Sequence, residues 1–277
     1  MTLPDGFVFS QSNLQDYRDC PRRFQLRYLE RRAWPAAQST NALDSERRMH
    51  LGHAFHRLMR QLHTGVAPEN LEPVARADPE LAVWWDNYLG MPPQELPGVL
   101  REPELTLGVG LCGYRLEARY DLLAGDPGGR WVIVDWKTSL RRASRPVLRE
   151  RVQTHVYPWV LVCGGASLNA DTPIAAQQVE MVYWFAGFPG QPERLAYDSE
   201  QLAADSALLE HLVREIETRP ADGYPQTDDR RQCKYCVYAS LCWDDVLAGQ
   251  WDEQPEVDTL DSALDELDLE DIAPIPF

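Results

Sequence analysis

The segment Trp131-Val-Ile-Val-Asp135-Trp-Lys137-Thr138 constrains this chain more than any other. An apolar strand runs into an Asp, and a Lys follows two positions later. Residues two apart on a strand share a face, so Asp135 and Lys137 point together into one site. Upstream, Tyr114–Leu123 reads as a strand, and Gly125-Asp126-Pro127-Gly128-Gly129 as the turn that joins the two in a hairpin. Asp121 sits near the end of the first hairpin strand, so two carboxylates from adjacent strands converge on one place. Hard oxygen donors of this kind suit Mg2+ or Mn2+, which keep several waters. The metal lowers the pKa of a bound water and neutralises charge on a phosphate, and Lys137 orients that water as a cation.

Other segments supply helices and further strands. Ser10 to Glu30 reads as helical, capped at Ser10 or Ser12 and broken near Pro21. Asp44 to His63, Pro146 to Cys163 and Ser199 to Thr218 read as helices, the last with Leu202, Leu208, Leu209, Leu212 and Ile216 at helical spacing. Glu104–Val109 and Val179–Phe185 complete the strand candidates. The order predicts a mixed α/β fold. Residues 1–248 read as the folded body and 249–277 as an acidic, disordered tail.

Six cysteines divide unevenly. Cys112 and Cys163 lie in apolar surroundings and read as buried thiols. Cys233-x2-Cys236-x5-Cys242 supplies three thiolates within ten residues, and Cys20 lies more than 200 residues upstream. Four cysteines suit tetrahedral zinc or a 4Fe–4S cluster, and spacing leaves both open. No basic, apolar leader opens the chain and no apolar run is long enough to span a bilayer, so a soluble, cytoplasmic protein without disulfides is expected.

The formal net charge of −16 argues against a nucleic-acid binder until its distribution is considered. From Cys236 to Phe277 there are 12 acids and no Lys or Arg, which leaves −4 for the rest. Arg141, Arg142, Arg145, Arg149 and Arg151 form a basic cluster opposed in sequence only by Glu150, and Arg18, Arg22, Arg23, Arg27, Arg31 and Arg32 add another. Phosphate binding follows the local field more than the global charge.

These motifs together resemble the RecB-like branch of the PD-(D/E)XK nuclease superfamily. The hairpin resembles that branch's "G-R-I-D…V-D-Y-K-T" pattern, with Ala118 and Trp136 standing where Gly and Tyr are commoner. Gly52-His-Ala-Phe-His56 resembles the upstream G-x-x-x-H helix, and Gln153-Thr-His-Val-Tyr157 the downstream Q-x-x-x-Y helix. The layout of Cys20-Pro21, Cys233, Cys236 and Cys242 resembles that of AddB-type and CRISPR-associated RecB-like exonucleases.

The resemblance implies a restriction-endonuclease-like mixed sheet flanked by helices, with a 4Fe–4S cluster on the four cysteines joining the N- and C-terminal segments. It implies His56, Asp121 and Asp135 as ligands of Mg2+ or Mn2+, and Asp121, Asp135, Lys137, Gln153 and Tyr157 as the catalytic set. The expected activity is metal-dependent DNA cleavage, exonucleolytic on single strands or ends, in repair, recombination or CRISPR adaptation. A helicase would be a separate chain, since no P-loop is present. The competing readings are a catalytically silent DNA-binding or scaffold subunit of a helicase–nuclease complex, and a zinc-stabilised interaction module. The tail reads as a solubilising extension, as an internal competitor for the basic groove, or as a docking segment in which Asp258 to Ile272, alternating acids with leucines, folds on a protein partner. The Ile275-Pro276-Phe277 ending resembles the acidic tip of bacterial single-stranded-DNA-binding proteins.

Overall fold

The computed structural model describes residues 3–32, 40–234, 236–243 and 246. The acidic tail, its disorder, its leucine-bearing segment and its docking end lie outside the described residues. β1 (Val8–Ser10) leads into α1 (Gln11–Asp19), α2 (Pro21–Phe24) and a π-helical turn at Gln25–Leu29. Ser10 caps α1: its hydroxyl accepts from the Asn13 amide at 3.3 Å, while the Asn13 side chain accepts from the Ser10 amide. Then come α3 (Thr40–His63), α4 (Pro68–Ala75), α5 (Pro79–Gly90), β2 (Leu100–Leu111), β3 (Tyr114–Gly125) and β4 (Trp131–Lys137). The chain continues through α6 (Arg145–Glu150), α7 (Val152–Gly164), β5 (Val179–Phe185), β6 (Glu193–Ala196), α8 (Ser199–Thr218) and α9 (Ala239–Cys242). Among the described residues, no helix is long and apolar enough to cross a membrane.

The six strands form one mixed sheet in the order β1-β3-β4-β5-β6, with β2 also on β3. Every residue of β4 is buried, as befits a strand covered on both faces. Its side chains alternate between two cores. Trp131 and Ile133 pack with α1, α7 and α8. Val132, Val134 and Trp136 pack with α3, α4 and α5. The fold is thus a mixed sheet between two helical layers, consistent with the restriction-endonuclease-like architecture.

Two turns fix the register that positions the site. Cys112 (φ 51°) and Gly113 (φ 86°) form a two-residue loop of left-handed residues, the geometry that suits the twist of a tight hairpin. It pairs Leu111 with Tyr114 and aligns all of β2 with β3. At the far end Gly125 pairs with Trp131. The Trp131 indole lies across that glycine, where a Cβ would fall 2.2 Å from its ring.

β2 occupies one edge of β3 along its length. The other edge is shared, with β1 on Val8↔Arg115 to Ser10↔Glu117 and β4 on Leu122↔Val134 to Gly125↔Trp131. Between them β3 has an unpaired stretch that begins at Asp121, where β3 and β4 fork.

The structure corrects several expectations. The segment 146–163 is two helices, broken at Arg151 (ψ 135°), because the Val152 amide turns to the Gln15 side chain at 2.9 Å. Cys163 is exposed and Cys112 half-buried rather than both buried. The strand expected at Glu104–Val109 extends over Leu100–Leu111 and forms its own hairpin with β3.

Candidate active site

The catalytic candidates gather at the fork. The last hydrogen-bonded pair of β3 and β4 is Leu122↔Val134, so Asp121 and Asp135 occupy the next row, facing each other where the strands part. On the other side of Asp121, the paired residues skip from Pro103↔Leu122 to Leu105↔Tyr120. The residue opposite Asp121 on β2 is therefore Glu104. One transverse row thus carries three carboxylates from three strands. Alternation also breaks here, since Tyr120 joins one core and Leu122 the other. Glu104 carries the matching irregularity on β2, with φ 56°.

Each helical layer sends one group into the row. From α3, His56 Nδ1 lies 3.1 Å from Asp121 Oδ1 and its Nε2 lies 3.1 Å from the Trp136 carbonyl. From α7, Gln153 donates to Asp135 Oδ1 at 2.5 Å and accepts from Lys137 at 3.2 Å. Lys137 also stands 3.0 Å from Asp135 Oδ2, with both side chains at most 10% exposed. The Tyr183 ring lies 5.7 Å from the Lys137 ammonium, and its hydroxyl bonds Thr154 at 2.6 Å, so β5 and α7 together brace the lysine. Tyr157 lies one turn beyond Gln153, but its ring packs edge-on against Tyr120 in the core, 5.2 Å between centroids.

The expected metal set was His56, Asp121 and Asp135. Two of these three stand together with a further carboxylate. Ligand atoms of His56, Glu104 and Asp121 all lie within 4.8 Å of one another, whereas both oxygens of Asp135 engage Lys137 and Gln153. Glu104 was missed by sequence reading. The signal was present, since a two-residue turn at Cys112-Gly113 places Glu104 opposite Asp121 by counting outward.

Electrostatics single out His56 among the four histidines of α3. Burial lowers His53 and His63 to about 4, so both are neutral. Burial opposes charge on His56 too, but the charge of Asp121, with which it bonds, raises it to about 9. Burial likewise opposes ionisation of Asp121, and His56 together with the Trp136 amide, 2.7 Å from Oδ2, nevertheless holds its carboxyl below the ordinary range. Glu104 is pushed up, first by burial and then by Asp121.

A histidine raised from 6.5 to about 9 on folding contributes stability that is full below pH 6.5 and lost as pH rises through 9. This is on the order of 3 kcal/mol. Chelator-treated protein is expected to lose urea stability between pH 6.5 and 9, and His56→Gln to flatten that slope. An unchanged slope in the variant would show that His56 is not the titrating group.

A second constellation lies at the chain ends. Cys20, Cys233, Cys236 and Cys242 line one pocket together with Arg23 and Trp243. Burial pushes the Cys236 thiol up to about 11 against the pull of the Arg23 guanidinium. Arg23 is itself held by Asp16 at 2.7 Å and Asp19 at 2.9 Å. The two ends of the chain meet directly, through Arg22 N–H to the Pro225 carbonyl (3.1 Å) and the Gln25 side chain to the Ala221 carbonyl (2.8 Å).

The sequence profile of the PD-(D/E)XK nuclease superfamily matches residues 8–243. The chain belongs to that superfamily. Two acids and a lysine, Asp121, Asp135 and Lys137, stand together at the fork just described. Among solved structures, that of SSO0001 shares 14% identity over 88% of this chain and 89% of its own, with a TM-score of 0.41. A protein from Eubacterium rectale described as "Putative exonuclease" shares 11% identity over 87% and 89%, with a TM-score of 0.49. No curated protein matches the sequence.

Proposed function

We propose that this PD-(D/E)XK protein is a RecB-like deoxyribonuclease that uses Mg2+ or Mn2+ to hydrolyse phosphodiester bonds of single-stranded DNA or DNA ends, in partnership with a separate helicase or other repair protein. The observation that carries the reading is the fork, where Asp121 and Asp135 face each other and Lys137 is locked to Asp135 and Gln153. The residues fit a hard divalent cation: the row offers carboxylate oxygens and one imidazole whose ligand atoms lie within 4.8 Å of one another. When bound, the cation supplies an activated water and charge neutralisation. Lys137 is held as a buried ammonium beside the place where a phosphate oxygen would gain charge. Gln153 fixes both partners of the ion pair. A silent scaffold would have no need to keep this buried pair, which costs desolvation.

The test is incubation of anaerobically purified protein with end-labelled single- and double-stranded DNA. Cleavage that requires Mn2+ or Mg2+ and stops with chelator is expected. Absence of cleavage by iron-replete protein with either cation would favour the silent-subunit reading.

The four cysteines are proposed to hold a 4Fe–4S cluster that closes a body of residues 1–248. All four line one pocket, as a shared metal centre requires. Their layout, which resembles that of the RecB-like exonucleases, favours the cluster over zinc. The tail is proposed to dock a protein partner.

The basic cluster after β4 is less free than its sequence suggests. Glu193 on β6 pairs with both Arg142 and, at 3.2 Å, Arg145. If DNA phosphates take this path, Glu193 competes with them. Glu193→Gln is expected to tighten DNA binding at low salt and steepen its salt dependence by up to about two units, one per arginine released. An unchanged slope would place these arginines off the DNA path.

A further inference from the structure

We infer that Gln15 is a positioning residue for the cleavage reaction: from α1 it holds the first residue of α7, and through it sets Gln153 on the Asp135–Lys137 pair. This rests on the nuclease reading above and adds to it a residue outside the carboxylate row.

Gln153 works from one place. It donates to Asp135 Oδ1 at 2.5 Å and accepts from Lys137 at 3.2 Å, so a small shift of its backbone breaks one bond or both. That backbone is the second residue of α7, directly after the break at Arg151, ψ 135°. An amide in the first turn of a helix has no acceptor inside the helix, and no side chain at the N-cap position supplies one here. The Val152 amide instead donates to Gln15 Oε1 at 2.9 Å, across 137 residues of chain. Val152 is fully buried, so water is kept from taking over as acceptor.

α1 also grips the other side of the break. Arg18 donates to the Glu150 carbonyl at 2.7 Å and to the Glu150 carboxylate at 2.9 Å. Gln15 and Arg18 lie three apart on one helical face, and together they fix both residues that flank Arg151.

Gln15 is itself held from behind. Its side-chain amide donates to Asp19 at 2.8 Å, and Asp19 accepts from Arg23 at 2.9 Å. Arg23 lines the pocket of Cys20, Cys233, Cys236 and Cys242. α1 ends at Cys20, whose amide donates to the Asp16 carbonyl at 2.9 Å. An unbroken line of bonds thus runs from the cysteine pocket through Arg23, Asp19 and Gln15 to Val152 and Gln153, and on to Lys137.

The test is a double-mutant cycle on cleavage of end-labelled single-stranded DNA by the full chain with Mn2+, with circular dichroism as the control for folding. Gln15→Ala is expected to lower kcat about tenfold or more with KM little changed, since misplacement by about 1 Å costs on the order of 100-fold. In a Gln153→Ala background the same change is expected to cost nothing further, because residues that act as a unit are not additive. Should Gln15→Ala fail to fold, Gln15→Asn serves: its amide stops one methylene short of Val152, and a smaller loss with the same non-additivity is expected. The inference is overturned by undiminished kcat in a folded Gln15 variant, by a loss confined to KM, or by a loss that multiplies in full with that of Gln153→Ala. Gln15 would then be only a stitch between helices, and the nuclease reading would survive. Absence of cleavage by wild-type protein with either Mn2+ or Mg2+ would instead fell the nuclease reading, and this inference with it.

Discussion

Lys137→Ala protein is expected to cleave DNA at least about 100-fold more slowly than wild type, the scale on which a single charge-stabilising group acts in a water-poor site. Neither His56, which reaches Asp121 from the opposite layer, nor Arg119, which is tied to Glu104, stands in for the lysine. The variant also removes one half of a buried ion pair. Asp135 then keeps Gln153 as a donor but loses its counter-charge, so stability falls as well, by about 3–5 kcal/mol where such a pair is fully buried. Cleavage must therefore be assayed below the variant's own melting midpoint. Adding Asp135→Asn to Lys137→Ala removes the stranded carboxylate while keeping its shape, so recovery of the melting midpoint in the double variant measures the part of the stability loss that came from the unpaired charge. Undiminished cleavage by folded Lys137→Ala would remove the lysine from the chemistry.

The second large effect is on the cysteine pocket. Cys20→Ala is expected to bleach the broad visible absorption that the proposed 4Fe–4S cluster would give and to lower the melting midpoint by about 10 °C or more, because metal-binding energy is partly folding energy. The same outcome is expected at Cys233, Cys236 and Cys242. Cys112→Ala and Cys163→Ala should leave the spectrum unchanged, as neither lines the pocket. Iron analysis decides the rival: zinc without iron in colourless protein would overturn the cluster assignment.

Much of the sheet was legible because its signals are local. The run Trp131–Lys137 is apolar and β-rich, and the glycines after Gly125 mark a turn, so β3, β4 and their carboxylates could be placed from sequence. The four helical histidines could not be ranked, because what separates His56 from His53 and His63 is a carboxylate that arrives from another element. Glu104 escaped for a different reason. A glutamate on a strand beside Arg119 looks like an ordinary surface ion pair, and only the register set at Cys112-Gly113 reveals what it faces. The basic cluster misled in the opposite direction. Its neutralising partner, Glu193, lies 48 residues or more from both arginines and meets them only through the β5–β6 pairing. Asp135 and Lys137 illustrate the limit of strand alternation: it placed them on one face correctly, yet Asp121 sits at a row where alternation fails.

The meeting of the chain ends has a consequence for synthesis. The N-terminal helical segment donates hydrogen bonds to the Pro225 and Ala221 carbonyls, and Tyr17 accepts one from Arg219 at 2.5 Å. These partners leave the ribosome some 200 residues after the helices they complete. At about 5–20 residues per second, these bonds form on the order of ten seconds or more after the first helices emerge. β1 waits less long, since among the described residues its partner strand is β3. The N-terminal helices therefore lack these three bonds for most of translation, and chaperone occupancy should concentrate there until residues 219–225 emerge.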